Sequence, residues 1–373
     1  MDEDLDQRRE DLFDTLAAQL HERLGVGEAD RAERFVRLYY AGAADADVLT
    51  RDPLTLYASA LDHFRLARER APGQHRLRVY NPDLERDGWH STHTVVTVVT
   101  DDMPFLVDSM TAAFNRRGLA IHLLVHPILM VQRDEDGRLL DVGGAGEGPH
   151  ESFMRFEVDQ LGDAAQLRDL AGELDDALAD VRAAVEDWRA MLAAVAHARE
   201  DVKAVRGLVA DDVAAEIDAF LAWLAEDHFT FLGYGRYALV RRDDGLHLER
   251  EPAHTTGILK HLQRTPSQTF SKLPAEIRDR AADPHEPLIL TKANTRSTVH
   301  RNAYLDYVGV KRYAADGTVV GEHRFLGLFT AGAYNRTPRD IPLLRRKVRR
   351  LIERSGVRPG SHDGKALLNV LET

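Results

Sequence analysis

The stretch that decides the fold is VVTDDMPFLVDS, Val98 to Ser109. Its first three residues end a β-branched run, THTVVTVVT from Thr92 to Thr100, whose composition predicts a strand. Two carboxylates, Asp101 and Asp102, follow. Pro104 then opens an amphipathic helix with Leu106, Val107, Met110, Ala113 and Phe114 on one face, closed by Gly118. A helix entered this way turns its free N–H groups and positive dipole end towards the loop, where an anion or the carboxylate of an amino acid can sit. Asp101 and Asp102 can instead hold a ligand's ammonium group. The plain alternative is that Asp102 caps the helix and Asp101 is solvated.

Upstream, Leu12, Leu16, Leu20 and Leu24 recur at helical spacing, with Gly25 and Gly27 as a stop, and Phe35, Leu38, Tyr39 and then Leu54, Tyr57, Leu61, Phe64 repeat the pattern. A helical lead-in over 1–72 follows. Arg76 to Tyr80 alternates like a strand and Asn81-Pro82 marks a turn. Downstream, IHLLVHPILMVQR predicts one long strand, Asp136-Gly137 a hairpin turn, GGAGEG from Gly143 to Gly148 a hairpin tip, and Glu151 to Val158 a strand. Leu167, Leu170, Leu174 and Leu178 make a helix, while Asp180 to Asp187 reads equally as strand or helix.

A connecting helix from Trp188 to about Arg206 leads to a second module. There Val213, Ile217, Phe220, Leu221 and Leu224 share a helical face, and FTFLGYGRYALV is an aromatic strand interrupted by glycines. Asp244-Gly245 turns it back into LHLER. Short helical pieces around Ile258 to Leu262 and Pro274 to Arg280 precede strands at Leu288 to Lys292, Tyr304 to Tyr313 and Val319 to Thr330, the last two joined by Asp316-Gly317. Ile341 to Glu353 is a basic helix. Ser361 caps another, carrying Leu367, Leu368 and Leu371, that stops in mid-pattern, as either a cut chain or a frayed natural terminus would.

The 373 residues are enough for two or three compact units, with 44% hydrophobic and 29% charged side chains to form cores and surfaces. No apolar run approaches a membrane span, the start MDEDLDQRRE is unlike a secretory signal, and cysteine is absent, so a cytoplasmic protein without thiol chemistry is expected. A formal charge of −12 argues against nucleic acid as partner.

The strand, the D-x-P-x-L-L-like loop (Asp102, Pro104, Leu106, Val107), the helix ending in RRGLAIH and the next strand resemble an ACT domain, a βαββαβ ligand-sensing unit. TDDMPFLVDSMTAAFNRRGLAIHLLVHP, ESFMRFEVD, HFTFLGY, KANTRSTVHRNAYLDYVGVKR, GLFTAGAYNRTPRDIPLLRRKV and PGSHDGKALLNVLET, in this order, resemble the N-terminal region of bacterial large NAD-dependent glutamate dehydrogenases. That resemblance implies a regulatory and architectural segment of a homo-oligomeric enzyme of glutamate catabolism. The enzyme converts L-glutamate and NAD to 2-oxoglutarate, ammonia and NADH in a domain further along. The chain has no G-x-G-x-x-G joining strand to helix, so no cofactor, catalytic residue or hydride chemistry is expected within it.

The resemblance makes Asp101, Asp102, Met103, Pro104, Phe105, Asp108 and Ser109 candidates for contacting an amino-acid or other small effector. Phe105 departs from the family's pattern, which has Gly after the Pro so that a ligand approaches the backbone; a phenyl group there can fill the pocket. In the second module, whose order of elements resembles a PAS-type sensor, Lys292, Asn294, Arg296, Ser297, His300 and Arg301 gather cations and donors for an anionic effector or acidic partner, with surface ion pairs as the simpler account.

Three other signals fail. His122 and His126, at roughly 3.3 Å per residue of strand, lie about 13 Å apart, too far to share a metal. GGAGEG leads into a strand rather than a helix and so is no phosphate loop. Arg339, Arg345, Arg346, Lys347, Arg349, Arg350 and Arg354 form a basic helix better matched to acidic helical stretches such as Asp159 to Asp187 than to nucleic acid.

The expected architecture is α+β: a helical lead-in (1–72), an ACT-like βαββαβ sandwich (73–187), a connecting helix (188–210), a PAS-like antiparallel sheet with helices (211–335) and a helical start of a further unit (336–373). The competing reading is a free-standing ACT/PAS-like small-molecule sensor.

Overall fold

The computed structural model describes residues 2–23, 25–143, 148–204, 207–243, 245–261, 280, 282–358 and 360–372. Gly144 to Glu147 of the glycine-rich tip, Asp244 of the second turn, and nearly all of the Pro274 to Arg280 piece lie outside them. The chain divides into two compact units, Met1–Ala179 and Asp180–Thr373.

The first unit opens with α1 (Asp2–Arg23), α2 (Val26–Tyr40), α3 (Asp45–Leu49) and α4 (Pro53–Ala67). Gly25 precedes α2 at its N-cap, but Gly27 lies inside that helix and is not a stop. The sheet is built from β1 (Arg76–Tyr80), β2 (Thr94–Asp101), β3 (Ile121–Val125), β4 (Ile128–Arg133), β5 (Leu139–Gly143) and β6 (His150–Val158). Between them lie α5 (Leu84–Asp87) and α6 (Leu106–Arg116); α7 (Ala164–Glu186) follows the sheet.

The expected long strand is two. Pro127 has no N–H to give a ladder, and the chain breaks at His126-Pro127 so that β3 pairs with one end of β6 and β4 with the other. The order is β1-β2-β6-β4-β5, with β3 also on β6 and every pairing antiparallel. The edge position beside β2 is filled by β1, from upstream. The ambiguous stretch after Asp180 is helix as far as Glu186, because Leu170, Leu174, Leu178 and Val181 form one buried stripe at spacings of four, four and three.

Helices cover both faces of this sheet. Phe13, Leu16 and Leu20 of α1, Phe35, Val36 and Tyr39 of α2 and Leu56, Ala60 and Phe64 of α4 share a core with Val99, Phe153, Leu123, Val125 and Leu129. The lead-in helices are therefore one layer of the unit. On the other side, Val96, Val98, Met154 and Phe156 are fully buried, as are Met110, Ala113 and Phe114 of α6, with Phe114 and Phe156 in ring contact at 5.1 Å.

β6 is buried along its length, yet its helical-lead-in face carries Glu151, Arg155 and Glu157. A charge can be kept there only with partners. Arg155 donates to Glu157, to Ser59 Oγ at 2.5 Å and to Tyr40 Oη at 3.5 Å, while Arg51 donates to both oxygens of Glu157 at 3.0 and 2.9 Å. His63, also buried, bridges Tyr39 Oη at 2.9 Å and the Val98 carbonyl at 3.1 Å. Burial holds it neutral, its pKa pushed down to about 3.

The second unit has α8 (Trp188–Ala204) and α9 (Asp211–Trp223), then β7 (Phe229–Arg242), β8 (Gly245–Gly257), β9 (Leu288–Arg296), β10 (Tyr304–Tyr313) and β11 (Val319–Phe329). The glycines of FTFLGYG do not interrupt β7, which runs on through both. The sheet order is β8-β7-β11-β10-β9, all antiparallel, which counts as 2-1-5-4-3 within the unit. Its strands approach closely: a Cβ on Gly321 or Gly327 would lie 2.1 Å from a β7 carbonyl oxygen. One face packs on α8 and α9 through Met191, Val195, Ile217, Phe220, Phe231, Val308 and Phe325. The basic helix, Leu344–Ser355, meets α9 by Arg345 to Glu216 at 2.9 Å and Arg346 to Asp212 at 2.7 Å; these carboxylates, not those of Asp159 to Asp187, take its first two cations.

Glu157→Gln removes the counter-charge of a wholly buried guanidinium, and urea denaturation should show a loss of about 3–5 kcal/mol.

Candidate functional site

The loop Asp102 to Phe105 joins the end of β2 to the start of α6. The helix starts at Leu106, two residues later than Pro104, and its N-cap is Phe105 rather than Asp102. Phe105 has φ +73°, left-handed backbone that a glycine adopts freely and a phenylalanine only under strain. Where an ACT loop ordinarily has Gly, this chain therefore keeps the glycine's backbone shape while carrying a bulky side chain. Ser109 holds that shape from the first turn of α6: its N–H and its hydroxyl both donate to the Phe105 carbonyl, at 2.9 and 2.6 Å. Met103 is half-buried, and Pro104 and Asp108 are exposed, with Asp108 already supplying a negative charge to the first turn of the helix.

The two aspartates have separate roles, and neither matches the plain alternative. Asp101 is not simply solvated: Arg70 donates to it at 2.7 Å and, from the same Nη2, to Glu151 at 2.6 Å. Arg133 closes the group with Nε and Nη2 on Glu151, each at 2.7 Å. Asp102 does not cap α6; it accepts from the hydroxyl of the buried Ser152 at 2.7 Å. Ser152 Oγ lies in turn 3.1 Å from His126 Nε2, at the break between β3 and β4. Burial pushes the His126 pKa down, and the Asp102 charge opposes that shift.

The exposed Asp102 carboxylate thus heads a relay, Asp102–Ser152–His126, that ties the loop to the strand break. Such a corner offers a ligand one oriented carboxylate, suited to an ammonium group. Sequence reading found the loop but missed Ser152, His126, Arg70, Glu151 and Arg133, because they arrive from other strands. The visible signal was the alternation of Glu151, Arg155 and Glu157 along one side of an otherwise apolar strand.

The second candidate cluster does not converge. Lys292, Asn294 and Arg296 lie on the edge strand β9, where Lys292 pairs with Asp306 at 2.6 Å and Arg296 lies 4.4 Å from the centre of the Tyr304 ring. Ser297 is buried and braces the turn through the Val299 carbonyl at 2.7 Å. His300 occupies left-handed backbone at φ +68°, and Arg301 donates to the Phe329 carbonyl at 2.6 Å. As for the histidine pair, His122 meets Asp159 at 2.7 Å while His126 goes to Ser152, and no group of three or more metal-ligating side chains forms among the described residues.

A strand–loop–helix corner on an antiparallel sheet flanked by helices defines an ACT-type α+β unit. The family model for the glutamate dehydrogenase ACT1 domain matches residues 35–174, and that for glutamate dehydrogenase helical motif 1 matches 341–373. NAD-specific glutamate dehydrogenase of Halomonas elongata is 36% identical over 98% of this chain, that of Pseudomonas aeruginosa 35% over 96%, and that of Mycobacterium tuberculosis 32% over 89%. The chain belongs to this family, as the ACT-bearing N-terminal region of a large glutamate dehydrogenase. It spans 23%, 22% and 19% of those three relatives.

The left-handed backbone at Phe105 makes a specific demand. Phe105→Gly should be more stable than Phe105→Ala by about 1 kcal/mol, the reverse of the order inside a helix, because only the alanine retains a Cβ at positive φ. Paired thermal and urea melts check this.

Proposed function

We infer that this chain is the non-catalytic regulatory and oligomerisation segment of a large, cytoplasmic NAD-dependent glutamate dehydrogenase. The parent enzyme converts L-glutamate and NAD to 2-oxoglutarate, ammonia and NADH in polypeptide outside this region. The observation that carries the reading is the alignment: nearly the whole chain matches about a fifth of enzymes named for that activity. The topology supports it, since both sheets are antiparallel, whereas a dinucleotide crevice forms where parallel strands reverse their order. No helix among the described residues is long and apolar enough to cross a membrane.

Within this reading the first unit is the effector-responsive part, with Asp102 facing an amino-acid ammonium and Phe105 narrowing the approach. The second unit is a PAS-like module, on the strength of its 2-1-5-4-3 strand order. Arg296 and Arg301, with Asn294 as a donor, then face an acidic surface of a neighbouring subunit, the charge of Lys292 being met by Asp306. Regulation through such units requires two states of the enzyme that bind an effector with different affinity. The free-standing sensor remains the weaker reading, because the similarity to these long enzymes extends over 98% of this chain.

The test is enzymatic. The purified 373-residue protein should form no NADH from glutamate and NAD. In the parent enzyme, Asp102→Asn should shift the response to amino-acid effectors while leaving turnover without effector within about twofold. NADH formation by the 373-residue protein alone would end this assignment.

A further inference from the structure

The sheet face of the second unit that looks away from α8 and α9 carries an arrangement that the regulatory reading leaves unused. Arg324 of β11 is opposed by a glycine on each side, Gly309 of β10 and Gly235 of β7. Both glycines are needed by neighbouring rings. A Cβ on Gly309 would come within 2.9 Å of the Tyr307 ring and 3.1 Å of the Glu322 carboxyl, and one on Gly235 within 3.0 Å of the Tyr237 ring. The rings lie over the glycines and enclose the guanidinium, whose Cζ is 3.8 Å from the centre of Tyr237 and 5.1 Å from that of Tyr307. Cation–π contact on two sides fixes the plane of the group.

Its inner nitrogen is anchored as well. Arg324 Nε donates to Tyr307 Oη and to Glu322 Oε1, both at 3.2 Å, and the Tyr307 hydroxyl donates to the same carboxylate oxygen. The outer nitrogens, Nη1 and Nη2, have no hydrogen-bond partner among the described residues, and the side chain is 23% exposed. The next row of the same face holds Lys311, Glu322, Tyr237 and Arg250. Lys311 donates to the carbonyls of Arg280 and Asp283, and Arg250 to that of Leu259, so their charges are not cancelled by carboxylates at these contacts. Arg324 and Arg250 share this face with Lys311 and Glu322, and the carboxylates that act on Lys311 are those of Asp283, Glu286 and Glu322.

We propose that this face binds a small organic carboxylate, gripped by the outer edge of Arg324. A guanidinium clamped by two rings and held at Nε presents two parallel N–H groups, the geometry that matches a carboxylate in bidentate fashion. The surrounding Tyr237, Tyr307, Leu259 and Leu326 suit a ligand with an apolar or planar body. A phosphate is less well served, because the backbone N–H groups of these strands are engaged in the ladder and offer no nest. The inference needs nothing from the glutamate dehydrogenase assignment and stands or falls on the isolated chain.

Calorimetry on the 373-residue protein, with benzoate and succinate as probes and inorganic phosphate as the contrasting anion, tests it. At least one carboxylate should bind with one-to-one stoichiometry. Arg324→Lys, which keeps the charge and loses the fork, should weaken that binding about tenfold or more. Tyr307→Phe keeps the ring but removes one of the two acceptors that hold Nε; it should weaken binding severalfold and decides the matter if Arg324→Lys fails to fold by circular dichroism. Silence with both carboxylates, preference for phosphate, or affinity unchanged in a folded variant would overturn the proposal.

Discussion

The first unit depends on a constraint set by β6. This strand pairs on both edges and is covered on both faces, so it has no solvent to spare for its charges, yet it carries Glu151, Arg155 and Glu157 on one side. Apolar packing alone would reject them, because a buried charge without a partner costs several kcal/mol. The covering helices must therefore deliver hydrogen bonds as well as hydrophobic surface. Arg51, Ser59 and Tyr40 do so for Arg155 and Glu157, and Arg70, just beyond α4, does so for Glu151. This ties residues upstream of the ACT-like strands to the sheet at the points where the sheet cannot stand alone.

The same constraint shapes the candidate site. Arg70 reaches Asp101 from beneath and takes it out of play as a free ligand group, which leaves Asp102 as the carboxylate that faces outward. Ser152, on the opposite side of β6 from Glu151, then links Asp102 to His126. The loop is thus supported from both faces of one strand, with Ser109 fixing its exit into α6. The backbone bends left-handed at Phe105, a conformation that glycine adopts freely, and here it is kept with a phenyl group on the loop.

Much of this was legible in the sequence. The β-branched run before Asp101, the leucine spacings of the lead-in helices, and the turns at Asp136-Gly137 and Asp316-Gly317 follow from local periodicity and turn chemistry, which tertiary contacts did not override. The break at Pro127 was present in the residues but hidden by the apolar run around it. The start of α6 was misplaced because Phe105 gives no residue-type signal of positive φ. Asp180 to Asp187 became clear only once the buried stripe of α7 could be followed through Val181. The partners Arg70, Ser152 and His126 and the clamp around Arg324 are brought together by strand pairing across tens of residues, a relation that spacing along the chain does not encode.

The central claim is that the lead-in helices are part of the ACT-like unit, because α2, α4 and the residues flanking α4 supply partners for the buried charges of β6 while α1 adds apolar packing. The most direct measurement is urea denaturation, followed by far-UV circular dichroism, of two fragments, residues 1–179 and 73–179. The account predicts a single cooperative transition for the first and none for the second. A cooperative, native-like transition in 73–179 would contradict it.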